Sequence, residues 1–368
     1  MKLKEITDVL EGIAPRSLAE DGDNVGLLVG DYETPIKKIM LTVDLTRSVF
    51  KEARNKKVNL IVAYHPPIWE PLKKVVAGEG LSPFLHEVIR DNMALYALHT
   101  ALDSVRGGVN DVLAEIVGIK DAQVLIPPAT STGNMFKLVV FLPEGDLEKV
   151  GAAIFAAGAG QIGNYSKCSF RCRGTGTFEG SESTRPTVGR AGRFEQADEF
   201  RLEAILPAAK LAAVIRAMIT AHSYEEVAYD VFPLMDSPGD AGLGRFGDLP
   251  KPAKIDILLE TIKKKLKVKT VGVVGPARGR VKRAAVAAGS CGMIFREVIK
   301  QGCDFYLTGE LKHHHALELQ EARVTTMCVG HSVSERVVLP KIAQKLRREA
   351  KDVAVSISRK DHDPFVWR

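Results

Sequence analysis

The sequence predicts an α/β protein: a three-layer core formed from both ends of the chain, with an inserted α+β domain. Three observations predict it. Short apolar runs alternate with helix-like segments over residues 5–118, which implies a largely parallel sheet with helices on both sides. The pattern changes at Pro127-Pro128-Ala129-Thr130-Ser131-Thr132-Gly133 and again at Ser237-Pro238-Gly239-Asp240-Ala241-Gly242-Leu243-Gly244, two turn-rich stretches that read as linkers. The first pattern then resumes at Val271-Gly272-Val273-Val274-Gly275. The expected core is therefore residues 1–129 plus 241–368, and the expected insert is 130–240.

The elements follow in order. Residues 5–14 are helix-like, and Asp23 to Gly30 is a turn entering a short strand. Ile39 to Asp44 is an apolar run ending in a carboxylate. Thr46 to Asn55 reads as a helix with Val49 and Ala53 on one face. Asn59 to His65 is a strand that Pro66 and Pro67 stop. A helix over Leu81 to Asp91 leads to the strand Met93 to His99, and a helix over Val109–Val117 stops at Gly118. The insert reads strand 137–142, helix 146–157, strands 166–174 and 201–206, helix 208–221 and strand 227–232. That βαββαβ order is the order of a ferredoxin-like domain. Gly158-Ala159-Gly160-Gln161-Ile162-Gly163 matches a dinucleotide fingerprint by letter, but it follows a helix and leads into a strand, so it reads as a loop. In the second half, Ala284–Ala288 is a strand candidate. Gly289-Ser290-Cys291-Gly292 then opens a helix to about Gln301, either as a tight turn or as a phosphate loop.

With 368 residues, 45% of them hydrophobic and 26% charged, the chain has the composition of a globular protein with room for two or three domains. The net charge of +6 is modest, and no aromatic residues interleave with the basic runs Lys263 to Lys265 and Arg278 to Arg283, which argues against nucleic acid. No apolar stretch is long enough for a membrane span, and the N-terminus lacks the apolar core of a secretory signal. Cysteines at 168, 172, 291, 303 and 328 are odd in number and scattered. They predict a reducing, cytoplasmic setting rather than a disulfide framework.

Chemistry concentrates at strand ends. One apolar run ends at His65; another ends at His99, with Asp103 four residues on; Phe305 to Thr308 leads to Glu310; and Thr326 to Gly330 leads to His331, with Glu335 four residues on. A spacing of four places two side chains on one helix face. In open α/β sheets the functional crevice lies at the carboxyl ends of strands. Imidazoles and carboxylates gathered there are ligands for a borderline divalent metal. His313-His314-His315 cannot share one helix face, so at least one of the three points to solvent.

Asp23-Asn24-Val25-Gly26-Leu27, Tyr64-His65-Pro66-Pro67-Ile68, His99 to Asp103, Thr308-Gly309-Glu310 and Gly330 to Arg336 together resemble the NGG-interacting-factor-like family. Its members are also named GTP cyclohydrolase one type two homologues. Phe178 to Gly189 resembles the insert of the longer members, which is similar to trimerising copper-tolerance and nitrogen-regulator domains. The resemblance implies two divalent metal ions (zinc, iron, manganese or magnesium), held by His65, Asp103, His331 and Glu335, with Glu335 bridging and His99 a further ligand. It implies a toroidal homo-hexamer with trimer contacts through the insert. It also implies a hydrolase of a nucleotide or other phosphorylated small molecule, with Glu310 or His314 as general acid or base. The alternative is a metal-holding scaffold or regulatory partner of other proteins, without turnover. Many bacterial members carry His-His-Pro where this chain has Tyr64-His65-Pro66, as eukaryotic-type members do. Tyrosine ligates poorly unless ionised, so either the second metal loses a ligand or Tyr64 packs its ring in the core.

Overall fold

A computed structural model describes residues 1–78, 84–128, 135–234, 240–290 and 292–366. Of the two expected linkers, residues 129–133 and 237–239 lie outside the described residues, as do the helix residues 81–83 and Cys291, while Leu243 and Gly244 at the end of the second are in a strand rather than a linker. The chain divides into two compact units, Met1–Pro128 with Gly239–Arg368, and Ala129–Pro238.

The first unit opens with α1 (Leu3–Ile13), β1 (Gly26–Val29), β2 (Lys38–Thr42), α2 (Arg47–Asn55), β3 (Leu60–Ala63), α3 (Leu85–Arg90), β4 (Ala94–Ala97), α4 (His99–Ser104), α5 (Val109–Val117) and β5 (Gln123–Ile126). The second unit runs β6 (Met135–Leu142), α6 (Leu147–Ala156), β7 (Phe170–Glu179), β8 (Phe194–Pro207), α7 (Leu211–Ala221) and β9 (Tyr229–Pro233). The chain then re-enters the first unit with β10 (Leu243–Lys254), α8 (Ile255–Leu266), β11 (Gly272–Val274), β12 (Arg280–Ala287), α9 (Ile294–Lys300), β13 (Phe305–Thr308), α10 (His313–Glu321), β14 (Thr325–Cys328), α11 (His331–Arg336), α12 (Leu339–Glu349) and β15 (Ala354–Ile357).

The first unit holds two sheets where alternation alone suggests one. The first has the order β1-β4-β3-β2-β15 and is parallel apart from β1. The second has the order β11-β14-β13-β12-β10-β5, with β14, β13 and β12 parallel. Strand alternation divides each sheet's side chains between two cores. Leu41, Leu60, Val62 and Tyr96 from one sheet and Val286, Phe305, Leu307 and Met327 from the other join a single buried cluster, with Leu3, Leu113, Leu258 and Ile342 from α1, α5, α8 and α12. Met40, Ile61 and Leu95 face the other way, onto α2 and α3, and Ala285, Ala287 and Tyr306 face α9 and α10. A Leu or Phe buried in this way contributes about 1.5–3 kcal/mol each. Both faces covered is what makes the central strands read as unbroken apolar runs.

The insertion point is a broken hairpin. β5 pairs with β10 antiparallel, with Ile126 opposite Leu243, so the chain leaves and returns at adjacent positions. Arg245, fully buried in β10, pins this junction. It is paired with Asp111 at 2.8 Å and donates to the carbonyls of Gly242, Gly244, Ser104 and Val105. A buried guanidinium is tolerated when every donor is occupied. Replacing residues 129–239 by a short Gly-rich turn should therefore leave a folded core that still binds zinc. An insoluble or metal-free product in a solubility and zinc-binding assay would contradict the discontinuous core.

The second unit forms a four-stranded sheet of order β7-β8-β6-β9, with Val150 and Ile154 of α6 and Val214 and Met218 of α7 packed on it. Its β7–β8 hairpin reaches further than the sequence pattern indicates, because the polar Thr175 to Glu179 and the acidic Phe194 to Phe200 extend it beyond the expected strands. Gly158 to Gly163 lies between α6 and β7, as a loop outside helix and strand.

The C-terminal segment is held to α2 by Glu52. Its carboxylate accepts from Lys56 Nζ, Ser358 Oγ and the Arg359 and Lys360 N–H groups. Burial alone would raise its pKa, but these donors overcome that and hold it at about 2 instead of 4.5. Because the folded value lies below the unfolded one, the stabilisation is present above the unfolded pKa and is lost as pH falls towards 2. Glu52→Ala should cost about 1–3 kcal/mol at pH 7. Urea melts of both proteins should show that deficit shrinking below pH 4.5; a deficit independent of pH would remove the carboxylate from the explanation.

Candidate metal centre

The two sheets aim their carboxyl ends at one place. Past β3, the Tyr64 and His65 N–H groups still bond to the Thr42 and Val43 carbonyls, which carries the parallel ladder two residues further before Pro66 ends it. Tyr64 turns its ring into the core at 1% exposure, and His65 faces the crevice. The register that sets Thr42 beside Ala63 brings Asp44 beside His65, and His65 Nδ1 meets Asp44 Oδ1 at 2.8 Å. His99 follows β4 with its N–H on the Tyr64 carbonyl, and its Nδ1 lies 2.9 Å from Asp23. Asp103 is one turn further along α4. On the other sheet, β14 ends at Cys328, and Gly330 at φ +94° redirects the chain into α11. His331 Nδ1 meets Glu310 Oε1 at 2.9 Å.

Three imidazoles are thus each held at Nδ1 by a carboxylate, which leaves Nε2 as the presented atom. Carboxylate-oriented histidine is the arrangement that precedes metal ligation. Two of the Nε2 atoms converge on Glu335: His331 Nε2 is 3.0 Å from Oε1, and His65 Nε2 is 3.2 Å from Oε2. The ring centroids of His65 and His331 are 5.5 Å apart, and those of His65 and His99 5.4 Å. Among the described residues, His65, His331 and Glu335 form a group with ligand atoms within 4.8 Å of one another. Glu335 is 4% exposed, and its buried Oε2 meets the ring of His65. A carboxylate this buried is tolerated only with positive charge beside it, and a cation between Glu335 and the imidazoles would supply that charge. The residues present therefore fit a metal ion, and nitrogen-plus-carboxylate donors suit zinc, iron or manganese.

The electrostatics ask for positive charge. Burial alone would lower the His65 pKa, but hydrogen bonds to Asp44 and Glu335 raise it to about 10. The hydrogen bond to Glu335 leads in raising His331 to about 9. Burial tends to raise Glu335, yet its bonds to His331 and His65 hold it below the usual carboxylate range. Asp103 is pushed up to about 7, chiefly by burial, against the hydrogen bond it accepts from the Tyr64 hydroxyl. A cluster that holds protons this tightly favours cations generally, and a metal competes for the same atoms.

Glycine makes the close approach possible. Gly289, at φ +65°, follows β12, and a Cβ there would lie 2.7 Å from Glu335 Oε1. Its N–H donates to Ser334 Oγ, which ties the loop to α11. The loop that sequence leaves open between turn and phosphate site thus backs the Glu335 carboxylate. The seven-residue α9 begins after it, at Ile294.

The structure gathers His65, His331 and Glu335, and His99 and Asp103 line the same cavity as His331 and Glu335. Glu310 contacts His331 through its carboxylate. His314 is exposed on the first turn of α10 beside His313, while His315 stacks on Phe295 at 4.5 Å. Tyr64 takes the packed alternative: the ring is in the core and the hydroxyl is on Asp103. Sequence reading misses Asp23 and Asp44 as imidazole partners. Asp44 is detectable from the parallel register beside His65, whereas Asp23 arrives from a turn 76 residues away from His99 with no local signal.

Fold and site define a mixed α/β protein with a His–carboxylate cluster suited to a metal ion. The chain belongs to the Duf34/NIF3 (NGG1p interacting factor 3) family, which matches residues 1–364. It is 36% identical over 368 residues to the Bacillus subtilis GTP cyclohydrolase 1 type 2 homolog, covering 99% of this chain and 98% of the relative. The crystal structure of a Bacillus cereus protein related to NIF3 is 35% identical, covers 100% of this chain and 99% of its own, and superposes with a TM-score of 0.72. A Staphylococcus aureus structure, 25% identical with the same coverage, gives 0.83. Among the described residues no helix is long and apolar enough to cross a membrane.

Proposed function

We propose that this protein is a metal-dependent hydrolase of a nucleotide or other phosphorylated small molecule. In this reading it works at a dinuclear centre held by His65, His99, Asp103, His331 and Glu335. The observation that carries the reading is the set of three imidazoles pinned at Nδ1, two of them presenting Nε2 to the two oxygens of one buried carboxylate. The relatives' names, GTP cyclohydrolase 1 type 2 homolog, favour a nucleotide. Divalent ions bound there would supply Lewis acidity and lower the pKa of water. Glu335, with one oxygen towards each imidazole, is the bridging ligand of this reading. Tyr64 keeps Asp103 aimed at the crevice, and Asp23, Asp44 and Glu310 fix the imidazole tautomers. Glu310 is half-exposed and meets His331 Nδ1, which supports a role for it in holding a proton at the rim. His314 is the second acid–base group of the proposal, on the exposed face of α10.

The assembly in this reading is a homo-hexameric ring in the cytoplasm, with trimer contacts through the insert. Exposed Tyr165, Phe170 and Phe194 on the insert support an associating surface. Free thiols at Cys168, Cys172, Cys303 and Cys328 suit a reducing compartment. Light scattering should give about six times the chain mass of 40.1 kDa.

The function is tested with samples loaded with zinc, iron or manganese and offered nucleotides, phosphoesters and amides. Turnover that chelation abolishes, and that His331→Ala lacks, supports the reading. Full metal occupancy with no hydrolysis of any of them would replace it by the scaffold alternative.

A further inference from the structure

The cavity beside the cluster has a volume of about 550 Å³, within the range of small-molecule sites. Its lining is of two kinds. Asp103, His331 and the 4%-exposed Glu335 supply polar groups. Trp69 and Met293, 58% and 50% exposed, supply apolar surface, with Ile126, Leu243 and Ile294 also on the wall. An indole left this uncovered forgoes a large part of its burial energy. Trp69 is also held in place: its ring meets His99 edge to face, 5.1 Å between centroids at 75°. The aromatic surface is thus tied to one of the imidazoles of the cluster itself.

Charge limits what the cavity holds. The described residues that line the cavity include no lysine or arginine, whereas Glu20, Asp103 and Glu335 bring carboxylates. Cations in the cluster can neutralise one phosphate. A chain of three phosphates would place further negative charge against carboxylates with no cationic side chain to meet it.

We infer that this cavity takes a planar heterocycle carrying no more than one phosphate, its ring stacked on Trp69 and its phosphate turned towards His331 and Glu335. Nucleoside monophosphates are the common compounds of this class. The inference rests on the function proposed above and narrows its substrate class. Trp69 is a specificity residue here, with no part in the bond-breaking step.

Trp69 and Trp367 are the chain's two tryptophans, so Trp367→Phe leaves Trp69 as the sole indole reporter. The zinc-loaded full chain is titrated with AMP, GMP, CMP and UMP, with the matching triphosphates, with ribose 5-phosphate and with inorganic phosphate. At least one monophosphate should quench Trp69 saturably and bind about tenfold more tightly than ribose 5-phosphate, in line with base–aromatic stacking. Its triphosphate should bind more weakly. By calorimetry, Trp69→Ala should weaken the monophosphate about tenfold and leave inorganic phosphate unchanged, with Trp69→Phe restoring most of the loss. The inference is overturned if no monophosphate exceeds ribose 5-phosphate, if the triphosphate binds as well, or if Trp69→Ala alters assembly mass without altering affinity. Should inorganic phosphate bind while the ring adds nothing, the inference falls and the metal-centre reading stands. Should neither zinc nor phosphate bind, both fall.

Discussion

Replacing Glu335 by alanine should empty the metal centre and leave the fold standing. Among the described residues, Glu335 is the carboxylate that meets both His65 and His331, so its loss removes the group common to both halves of the cluster. Zinc content after dialysis should fall to roughly a tenth or less of the unaltered protein, since structural affinity depends on the complete ligand set. Stability of the metal-free chain should fall as well. The Glu335 carboxylate meets both imidazoles and helps to hold them protonated, and removing one partner of a buried ion pair costs up to about 3–5 kcal/mol. The metal-free variant should therefore melt below the metal-free unaltered protein, still in one cooperative transition. Only the unaltered protein should gain stability on adding zinc. Elemental analysis and paired thermal melts check this. Unchanged zinc in the variant, or a collapse of the metal-free fold, would contradict it.

Tyr64→Phe should weaken the Asp103 side of the centre while sparing the His331 side. The Tyr64 hydroxyl donates to Asp103, whose carboxyl burial pushes up to about 7. Without that donor, Asp103 loses both its aim and a bond that favours its charged form. Orienting groups of this kind cost about 10- to 100-fold in metal affinity when removed. Zinc calorimetry should show one site weakened by that factor and the other preserved. Tyr64→His is the informative partner variant. The Tyr64 ring is buried in the core, so an imidazole there would be drawn into apolar surroundings and would still leave Asp103 without its donor. It should not tighten the second site. A tighter second site in the histidine variant would return Tyr64 to the role of a missing ligand.

The parts legible in the sequence are those where a local pattern and a polar stop coincide. β3, β4, β13 and β14 are buried on both faces and read as apolar runs, and each is followed by His or Glu. The i, i+4 pair His331 and Glu335 shows itself in the same way. β10 does not, because Pro250 and Pro252 break its second half and the buried Arg245 breaks its apolar pattern. The two-sheet arrangement is hidden as well, since each sheet alternates with helices and only long-range pairing separates them. α8, α12 and β15 are absent from the sequence reading. Pro340 in the first turn of α12 was an available helix-start signal. The imidazole partners Asp23 and Asp44 belong to tertiary structure: they act across 76 and 21 residues respectively.

The dinuclear centre is tested by anomalous diffraction at the zinc edge from crystals of protein loaded with zinc and never exposed to chelator. Two peaks per chain are expected, sharing Glu335 and bounded by His65, His99, Asp103 and His331. A single peak elsewhere, or no peak within reach of Glu335, would contradict it.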